Sequence, residues 1–209
     1  MKIALTSDLH GNLPVIPECD LLLIAGDVTP VWKHSIEFQW DWLENDFNNW
    51  LKEVPAEHIV GIAGNHDFIA EQYPYVLDGL NWRYLQDETI QIPEKYGFKI
   101  HGSPWTPQFF NWAFMKEDED LAEKWALIPD DVDILLTHGP PFGICDLTLE
   151  QVHAGSKTLM ERIKHLPKLK IHLFGHIHEA YGKDRITLYN ASLVNRDYEP
   201  VNPVMVVEL

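Results

Sequence analysis

The stretch Leu173-Phe174-Gly175-His176-Ile177-His178 decides the interpretation of this chain, because an apolar run stops abruptly there at a Gly-His-x-His motif. A short apolar run bounded by glycine is typical of a buried strand in an α/β sheet. Side chains two residues apart in an extended segment point the same way. We therefore expect the imidazoles of His176 and His178 to lie together just beyond the end of a strand.

Four other apolar runs end in the same way, each on residue types that bind metals. They are Ile3–Ser7 before Asp8-Leu9-His10-Gly11, Leu21–Ala25 before Gly26-Asp27, Ile59–Ala63 before Gly64-Asn65-His66-Asp67, and Ile134–Thr137 before His138-Gly139. In open α/β sheets the ligand crevice lies beyond the carboxyl ends of the strands. The five runs therefore direct one set of potential metal ligands to a single region. That set comprises Asp8, His10, Asp27, Asn65, His138, His176 and His178.

The chemistry of this set predicts which metals it binds. Oxygen and imidazole donors suit Mn²⁺, Fe or Zn²⁺ better than a thiolate-preferring metal, and we expect Mn²⁺ first among these. Seven ligands exceed what one ion needs and divide naturally between two ions that share a carboxylate. Two ions about 3.5–4 Å apart are the arrangement that supports in-line displacement at phosphorus. Four glycines are expected to allow the tight turns that direct the ligands, namely Gly26, Gly64, Gly139 and Gly175.

The length of 209 residues predicts one domain, residues 1–209, with a substantial core. No apolar stretch approaches the ~18 residues that cross a bilayer. Met1 and Lys2 lead straight into the first apolar run, so we expect no signal peptide of about 15–30 residues. Cys19 and Cys145 fit no metal or redox spacing, so we expect free thiols in a reducing cytoplasm. The sequence gives no indication of the oligomeric state.

The net charge of −16 excludes one class of partner. Proteins that bind the nucleic-acid backbone neutralise phosphates with Lys and Arg, and here 16 basic residues stand against 32 acidic ones. We therefore expect no binding to a nucleic-acid backbone. A small phosphate ester or nucleotide remains compatible, because two divalent ions would make the site itself locally positive.

Periodicity predicts the remaining elements. A long helix is expected over residues 35–54, with Ile36, Trp40, Leu43, Phe47, Trp50 and Val54 on its apolar face. Shorter helices are expected near residues 117–127 and 155–166. Runs of β type occur at Trp82–Leu85, Thr89–Ile92, Phe98–Ile100, Ile186–Tyr189 and Val204–Val207. Strands clustered in this way predict a second sheet. The expected fold is α/β, a two-sheet β-sandwich flanked by helices, with the metal site at the carboxyl ends of the strands.

Taken in order, these motifs resemble those of the calcineurin-like metallophosphoesterase superfamily. The motifs are Asp8-x-His10, Gly26-Asp27, Gly64-Asn65-His66-Asp67, Thr137-His138-Gly139 and Gly175-His176-x-His178. The second half is similar to the metallophosphoesterase-domain-containing (MPPED) subgroup, whose members act on phosphodiesters including cyclic nucleotides. That similarity rests on Gly102-Ser103-Pro104-Trp105, Asn111-Trp112-Ala113-Phe114, His138-Gly139-Pro140-Pro141, Gly175-His176-Ile177-His178-Glu179 and Tyr189-Asn190-Ala191-Ser192.

The resemblance implies a role for each matched position. The first ion would be held by Asp8, His10 and His178, the second by Asn65, His138 and His176, with Asp27 bridging the two. His66 would be the catalytic histidine, which binds no metal and assists departure of the leaving oxygen or stabilises charge on the phosphoryl group. Asp67 would hold the imidazole of His66 in its working orientation. Asn65 and His66 would also contact the substrate.

Residues 104–112 are rich in aromatic residues and proline, which predicts an ordered loop. One interpretation is that this loop caps a hydrophobic edge of the sheet. The other is that Trp105 or Phe109 stacks on a nucleobase, a contact that tolerates any base. An acidic protein would then hold a nucleotide without a basic patch, because the metals bind the phosphate and an aromatic ring binds the base.

Two classes of function are compatible with these residues. The first is a hydrolase of small phosphodiesters, in which a metal-bound hydroxide attacks phosphorus directly and His66 assists the leaving group. The second is a binding module that holds nucleotide and metal with little turnover. The complete ligand set together with His66 favours the enzyme, because a pure binder has no need of a leaving-group acid. Phosphomonoesterase and nuclease activities remain open alternatives, because the same two-metal chemistry serves all of them.

Overall fold

The chain folds into two stacked β-sheets with helices on the outer faces. The computed structural model describes residues 1–92, 97–184 and 187–209. The strands are β1 (Lys2–Thr6), β2 (Cys19–Ala25), β3 (Ala56–Ile62), β4 (Arg83–Tyr84), β5 (Glu88–Gln91), β6 (Lys99–Ser103), β7 (Thr106–Pro107), β8 (Met115–Lys116), β9 (Ile134–Thr137), β10 (Ile171–Phe174), β11 (Gly182–Asp184), β12 (Leu188–Asn190) and β13 (Met205–Glu208). The α-helices are α1 (Ile36–Trp42), α2 (Asn48–Glu53), α3 (Phe68–Gln72), α4 (Asp118–Trp125) and α5 (Lys157–Ile163). A π-helical turn at Leu43–Phe47 joins α1 to α2, and 3₁₀ turns lie at Pro74–Gly79 and His178–Ala180.

Both large sheets have a parallel centre and an antiparallel strand at one or both edges. The first has the order β13-β1-β2-β3-β4, in which only β13 is antiparallel to its neighbour. The second has the order β11-β12-β10-β9-β6-β5, in which β11 and β5 are the antiparallel edges. The predicted two-sheet α/β architecture with flanking helices is confirmed.

All five apolar runs that precede metal-binding residue types form strands, but they divide between the sheets. β1, β2 and β3 lie in the first sheet, whereas β9 and β10 lie in the second. The prediction that the later β-type runs form one second sheet is wrong for two of them, because β4 and β13 pair with the first sheet. The predicted strand over residues 186–189 is described from Leu188 onward, and Ile186 lies outside the described residues.

Successive side chains of each central strand point to opposite faces of its sheet, and together they form three layers of hydrophobic core. On β1, Ile3 and Leu5 pack between the two sheets, while Ala4 packs against the helices outside the first sheet. On β9, Leu136 packs between the sheets and Leu135 packs in the cluster formed by α4 and α5 outside the second. Because both faces of each sheet are covered, the central strands read as continuous apolar runs and not as alternating ones.

The long helix predicted over residues 35–54 is present, and its predicted apolar face packs against the core. Leu43 and Phe47 of that face are buried, and its other members, Ile36, Trp40, Trp50 and Val54, pack partly against the core. Trp42 and Leu51, outside that face, are buried as well. The π-helical turn between α1 and α2 adds a residue to one turn, so a 3.6-residue period does not hold across it. Gln39 is polar yet buried, because its side-chain amide forms hydrogen bonds with the backbone of the site described below.

The two sheets join at the carboxyl ends of their strands. Ser7, just after β1, forms an isolated parallel bridge with Ser192, just after β12. The amide of Ser7 donates to Ala191 O at 2.9 Å, and the amide of Leu193 donates to Ser7 O at 2.8 Å. This bridge brings the loops of both sheets together at one edge of the sandwich.

Two further expectations concern cysteines and membranes. Cys19 and Cys145 are both free thiols, as predicted. Among the described residues, no helix combines the length and the apolar character needed to span a bilayer.

Candidate metal centre

The candidate ligands lie in the loops that follow β1, β2, β3, β9 and β10, beyond the carboxyl ends of these strands. Four of them have left-handed backbone conformations, with φ of 52° at Asp8, 46° at His10, 51° at Asp27 and 68° at His176. Residues other than glycine rarely adopt such angles, and strained backbone clusters at functional sites, where the surrounding structure holds it in place. The strain therefore points to a built site.

Asp27 lies at the centre of the ligand cluster. Its Oδ2 is 3.5 Å from Nε2 of His10 and 3.4 Å from Nε2 of His138. Its Oδ1 accepts a hydrogen bond from the backbone amide of His66 at 2.7 Å. One carboxylate thus links four loops, and both of its oxygens are oriented by protein groups.

The remaining ligands form two groups on either side of Asp27. On one side, Nε2 of His178 is 3.4 Å from Oδ1 of Asp8 and 3.2 Å from Nε2 of His10. On the other side, Nε2 of His138 is 2.8 Å from Oδ1 of Asn65. The ring of His176 packs against that of His138, with centroids 5.1 Å apart. The structure brings all seven predicted ligands together.

Hydrogen bonds behind the ligands orient them. Nδ1 of His138 lies 2.9 Å from Ala25 O, and Nδ1 of His178 lies 3.2 Å from Asn195 O. A carbonyl can only accept, so each Nδ1 carries a proton, which leaves Nε2 as the atom that would bind a metal. Asp8 accepts hydrogen bonds from the Ser192 hydroxyl at 2.7 Å and from the His176 amide at 3.0 Å.

These separations fit divalent metal ions. Imidazole nitrogens and carboxylate oxygens bind such ions at about 2.0–2.2 Å, which places two ligands of one ion about 3–3.6 Å apart. The observed separations of 3.2–3.5 Å fall in this range. Two of the groups that could hold an ion are Asp8 with His10 and His178, and Asp8 with Asp27 and His138. Nδ1 of His10 is buried with no partner among the described residues.

Burial and neighbouring charges together set the pKa values of several candidate ligands. It lowers the pKa of His10 and of His176 to about 3, so both rings are neutral and can coordinate. Burial opposes ionisation of Asp8, but the hydrogen bond and charge of His178 hold its pKa well below the usual value. Burial also disfavours a charged His138, yet the carboxylate of Asp27 raises its pKa to about 9. A cation would replace that proton as the partner of Asp27.

Two glycines in the ligand motifs are required because a carboxylate lies too close to their Cα atoms to allow a side chain, and not because the chain turns there. A Cβ on Gly175 would lie 1.9 Å from Oδ2 of Asp8, and one on Gly64 would lie 2.3 Å from Oδ1 of Asp27. The expectation of a tight turn holds at Gly26, where φ is 97°. The glycines therefore leave room for the carboxylates, which any side chain would displace.

His66 lies against the ligand cluster. One of its ring nitrogens lies within 4.8 Å of ligand atoms of His10 and Asp27. Its ring packs on Trp112 with centroids 4.4 Å apart, and its Nδ1 is 3.5 Å from Nε2 of His34. Burial lowers the pKa of His66.

The expectation that Asp67 orients the imidazole of His66 does not match the structure. The Asp67 carboxylate accepts hydrogen bonds from the amides of Gly64 at 2.8 Å, Val28 at 3.2 Å and Thr29 at 2.9 Å, and from the Thr29 hydroxyl at 2.8 Å. Its lone pairs are occupied by the backbone of two loops. Asp67 therefore fixes these loops relative to each other instead of contacting the ring.

A cleft of about 480 Å³ opens over the cluster. Phe109, one of the two aromatic residues proposed to face substrate, lines it and is 60% exposed. Trp105 is not among its lining residues: the indole N–H donates to Asp87 at 3.0 Å, and the Lys124 ammonium lies 4.4 Å from the ring centroid. Trp105 thus belongs to a polar network behind the loop. Its ring also packs partly against two of the core clusters, which agrees with the capping interpretation for this residue.

Residues that received no role from the sequence also shape the site. His34 and Trp112 contact the His66 ring, and Tyr198 packs its ring 4.9 Å from that of His10. Gln39 and Thr29 both donate to the carbonyl of His66, at 2.7 Å and 3.1 Å. Of these residues, Gln39 could have been detected from the sequence, because it is a polar residue within an amphipathic helix. The contacts of the others depend on loops that lie far apart in the chain.

Comparison with known proteins identifies relatives over most of the chain. The sequence profile of the calcineurin-like phosphoesterase family matches residues 1–180, which include every candidate ligand. Metallophosphoesterase domain-containing protein 1 of Homo sapiens and the protein of the same name in Mus musculus are each 36% identical over 240 aligned positions, covering 100% of this chain and 71% of theirs. UPF0046 protein T07D4.2 of Caenorhabditis elegans is 36% identical over 238 positions, covering 96% of this chain and 58% of its own.

We expect the substitution Asp27→Ala to lower the metal content of the purified protein, because it removes the carboxylate shared by both ligand groups. Elemental analysis after loading with Mn²⁺ measures this. Asp133→Ala is the matched control, since Asp133 precedes β9 at the opposite end of the strand and should leave two ions bound. Two equivalents retained by Asp27→Ala would contradict a bridging role.

Proposed function

The chain belongs to the calcineurin-like phosphoesterase family, and from this membership we propose that it hydrolyses small phosphodiesters, with cyclic nucleotides as the leading candidate substrates. Membership makes the chain a metal-dependent phosphoester hydrolase. The observation that carries the proposal is the convergence of seven ligand side chains on a cleft that also contains His66 and an aromatic wall.

We assign the ligands to two ions. The first ion would be bound by Asp8, His10 and His178, the second by Asn65, His138 and His176, with Asp27 shared. The mixed oxygen and imidazole donors support Mn²⁺ as the first choice, with Fe and Zn²⁺ as alternatives. When bound, the two ions would neutralise charge on the phosphoryl group and lower the pKa of a water molecule.

His66 would protonate the leaving oxygen. Its backbone is fixed from three directions, by Asp27 through its amide and by Thr29 and Gln39 through its carbonyl. Since Nδ1 faces His34, Nε2 is the ring nitrogen available to the ester. A group that holds a proton at this atom supports catalysis and contributes nothing to simple binding.

The charge of the cleft supports a diester over a monoester. Arg196 is the one Lys or Arg among the described residues that line it, and its guanidinium is paired with Glu150 at 3.1 Å. Glu179 adds another acid to the rim. A phosphomonoester carries nearly two negative charges at neutral pH, because its second pKa is about 6, whereas a diester carries one. The acidic rim therefore repels a monoester more strongly.

An aromatic wall supports a nucleotide as the substrate. Pro107, Phe109 and Phe110 line one side of the cleft, and the rings of Phe109 and Phe110 contact each other at 4.3 Å. The loop that carries them is anchored to the site, because the amide of Ala113 donates to Asn65 O at 3.1 Å. A flat apolar surface at a fixed distance from the ligands suits stacking of a base whose phosphate is bound by the metals.

A turnover panel tests the reaction class. The Mn²⁺-loaded protein is assayed with p-nitrophenyl phosphate, bis(p-nitrophenyl) phosphate, and 2′,3′- and 3′,5′-cyclic nucleotides, and the chelated protein is the control. We expect higher kcat/KM for the diesters than for the monoester, and loss of turnover on chelation. A preference for the monoester would identify a phosphomonoesterase, cleavage of long polynucleotides a nuclease, and nucleotide binding without turnover a binding module.

The substitution His66→Ala should reduce kcat for cyclic nucleotides by about 10²–10⁴, the range typical of a general acid. The loss should be smaller for bis(p-nitrophenyl) phosphate, because p-nitrophenolate leaves without a proton. Metal content should be unchanged, and His165→Ala, at an exposed position, serves as the control. Equal losses on both esters would leave charge stabilisation as the only role of His66.

The substitution Phe109→Ala should raise KM for cyclic nucleotides about tenfold, since stacking on an aromatic ring contributes about 1–3 kcal/mol per base. A cyclic ribose phosphate that lacks the base is the matched substrate, and its KM should change much less. Trp105→Ala, which removes an aromatic ring of the same loop outside the cleft, is the control variant. Parallel losses on both substrates would assign the loop a structural role.

A further inference from the structure

We propose that His34 is the positioning residue of His66, the role that the resemblance assigns to Asp67; this inference rests on the proposed function of His66. Asp67 is engaged by the amides of Gly64, Val28 and Thr29 and by the Thr29 hydroxyl. Among the described residues, the polar contact made by the His66 ring is with His34, whose Nε2 lies 3.5 Å from Nδ1. This separation is long, as catalytic hydrogen bonds often are before substrate binds.

Aromatic contacts fix both imidazoles at this distance. Trp112 packs against the face of the His66 ring, with centroids 4.4 Å apart and an interplanar angle of 34°. The same indole meets the His34 ring edge-on at 5.3 Å and 86°. Phe68 packs on His34 from another direction, at 5.5 Å. The pair is therefore held by the rings of Trp112 and Phe68.

The contact determines which nitrogen of His66 faces the ester. A neutral imidazole has one N–H donor and one acceptor, and an imidazolium has two donors. When His66 carries the proton that it gives to the leaving oxygen, Nδ1–H donates to Nε2 of His34, and Nε2–H remains for the ester. His34 contributes an acceptor from a half-buried position beside the cleft. Loss of that acceptor frees the ring of His66 to rotate or to change tautomer.

Three substitutions separate hydrogen bonding from packing. His34→Ala removes both, His34→Phe keeps a ring against Trp112 and Phe68 without an acceptor, and His34→Gln restores a polar group. We expect His34→Ala and His34→Phe to lower kcat for cyclic nucleotides about 10–100-fold with KM and metal content unchanged, because misplacement of a reacting group by about 1 Å has an effect of this size. His34→Gln should recover part of the loss. Wild-type kcat in His34→Phe would overturn the proposal.

A double-mutant cycle tests whether His34 acts through His66. In the His66→Ala background, His34→Ala should have almost no further effect on kcat, because groups that act as one unit are not additive. Additive losses, or equal losses on bis(p-nitrophenyl) phosphate and on cyclic nucleotides, would overturn the proposal. His165→Ala is the control in both backgrounds.

A second readout does not depend on turnover. The ¹⁵N shifts of the His66 ring, assigned by their absence in His66→Ala, report its tautomer in the protein loaded with diamagnetic Zn²⁺. We expect one fixed tautomer in the wild type and altered or averaged shifts in His34→Phe. Unchanged shifts would overturn the positioning role even if the protein hydrolysed none of the esters, whereas the wild-type turnover panel alone decides the proposed function.

Discussion

The buried carboxylate of Asp27 is the interaction on which the rest of the site depends. It is 1% exposed, yet it lies within 3.5 Å of the Nε2 atoms of His10 and His138 and accepts the amide of His66. A charge removed from water is costly unless it is paired. The loops after β1, β3 and β9 must therefore all approach the loop after β2 closely enough to surround it. The glycines at Gly64 and Gly175 leave the space that this approach requires.

A second layer of polar residues holds this arrangement without entering the cleft. Gln39 is fully buried and connects α1 to the carbonyl of His66 and to the amide of Ile69. Asp67 and Thr29 tie the loop after β2 to the loop after β3. Because each of these groups has defined partners, the ligands are held in position before any ion binds. Such orientation is what a metal site needs to select geometry and to stabilise a transition state.

In the proposed function, the acidity of the chain is compatible with a phosphate substrate because recognition would be divided among three parts of the cleft. The ligand cluster is the part of the cleft that would carry positive charge once ions are bound. The wall formed by Phe109 and Phe110 offers apolar surface, and the rim near Glu150 and Glu179 repels additional negative charge. A compact, singly charged ester with a flat substituent satisfies all three conditions.

The sequence by itself determined the central strands, the candidate ligand residues and the family resemblance. Each ligand motif follows a buried strand, and the order and spacing of these motifs are local properties of the chain. The boundaries of β9, the end of β10 and the helices α1, α2, α4 and α5 followed from the same local patterns, whereas α3 was not predicted. The two-sheet architecture was predicted from the cluster of later β-type runs, although two of these runs, β4 and β13, joined the first sheet.

Only the tertiary structure decided how these elements combine. The division of the ligand strands between two sheets depends on the bridge between Ser7 and Ser192, which are 185 positions apart in the chain. The partners of His66 depend on packing between the loops that carry His34 and Trp112, and no periodicity encodes that contact. Trp105 and Phe109 belong to the same aromatic loop. Of the two, only Phe109 lines the cleft, because Asp87 and Lys124 contact the indole of Trp105 and hold it elsewhere. Local patterns specify which residue types follow each strand, whereas long-range packing determines which atoms they face.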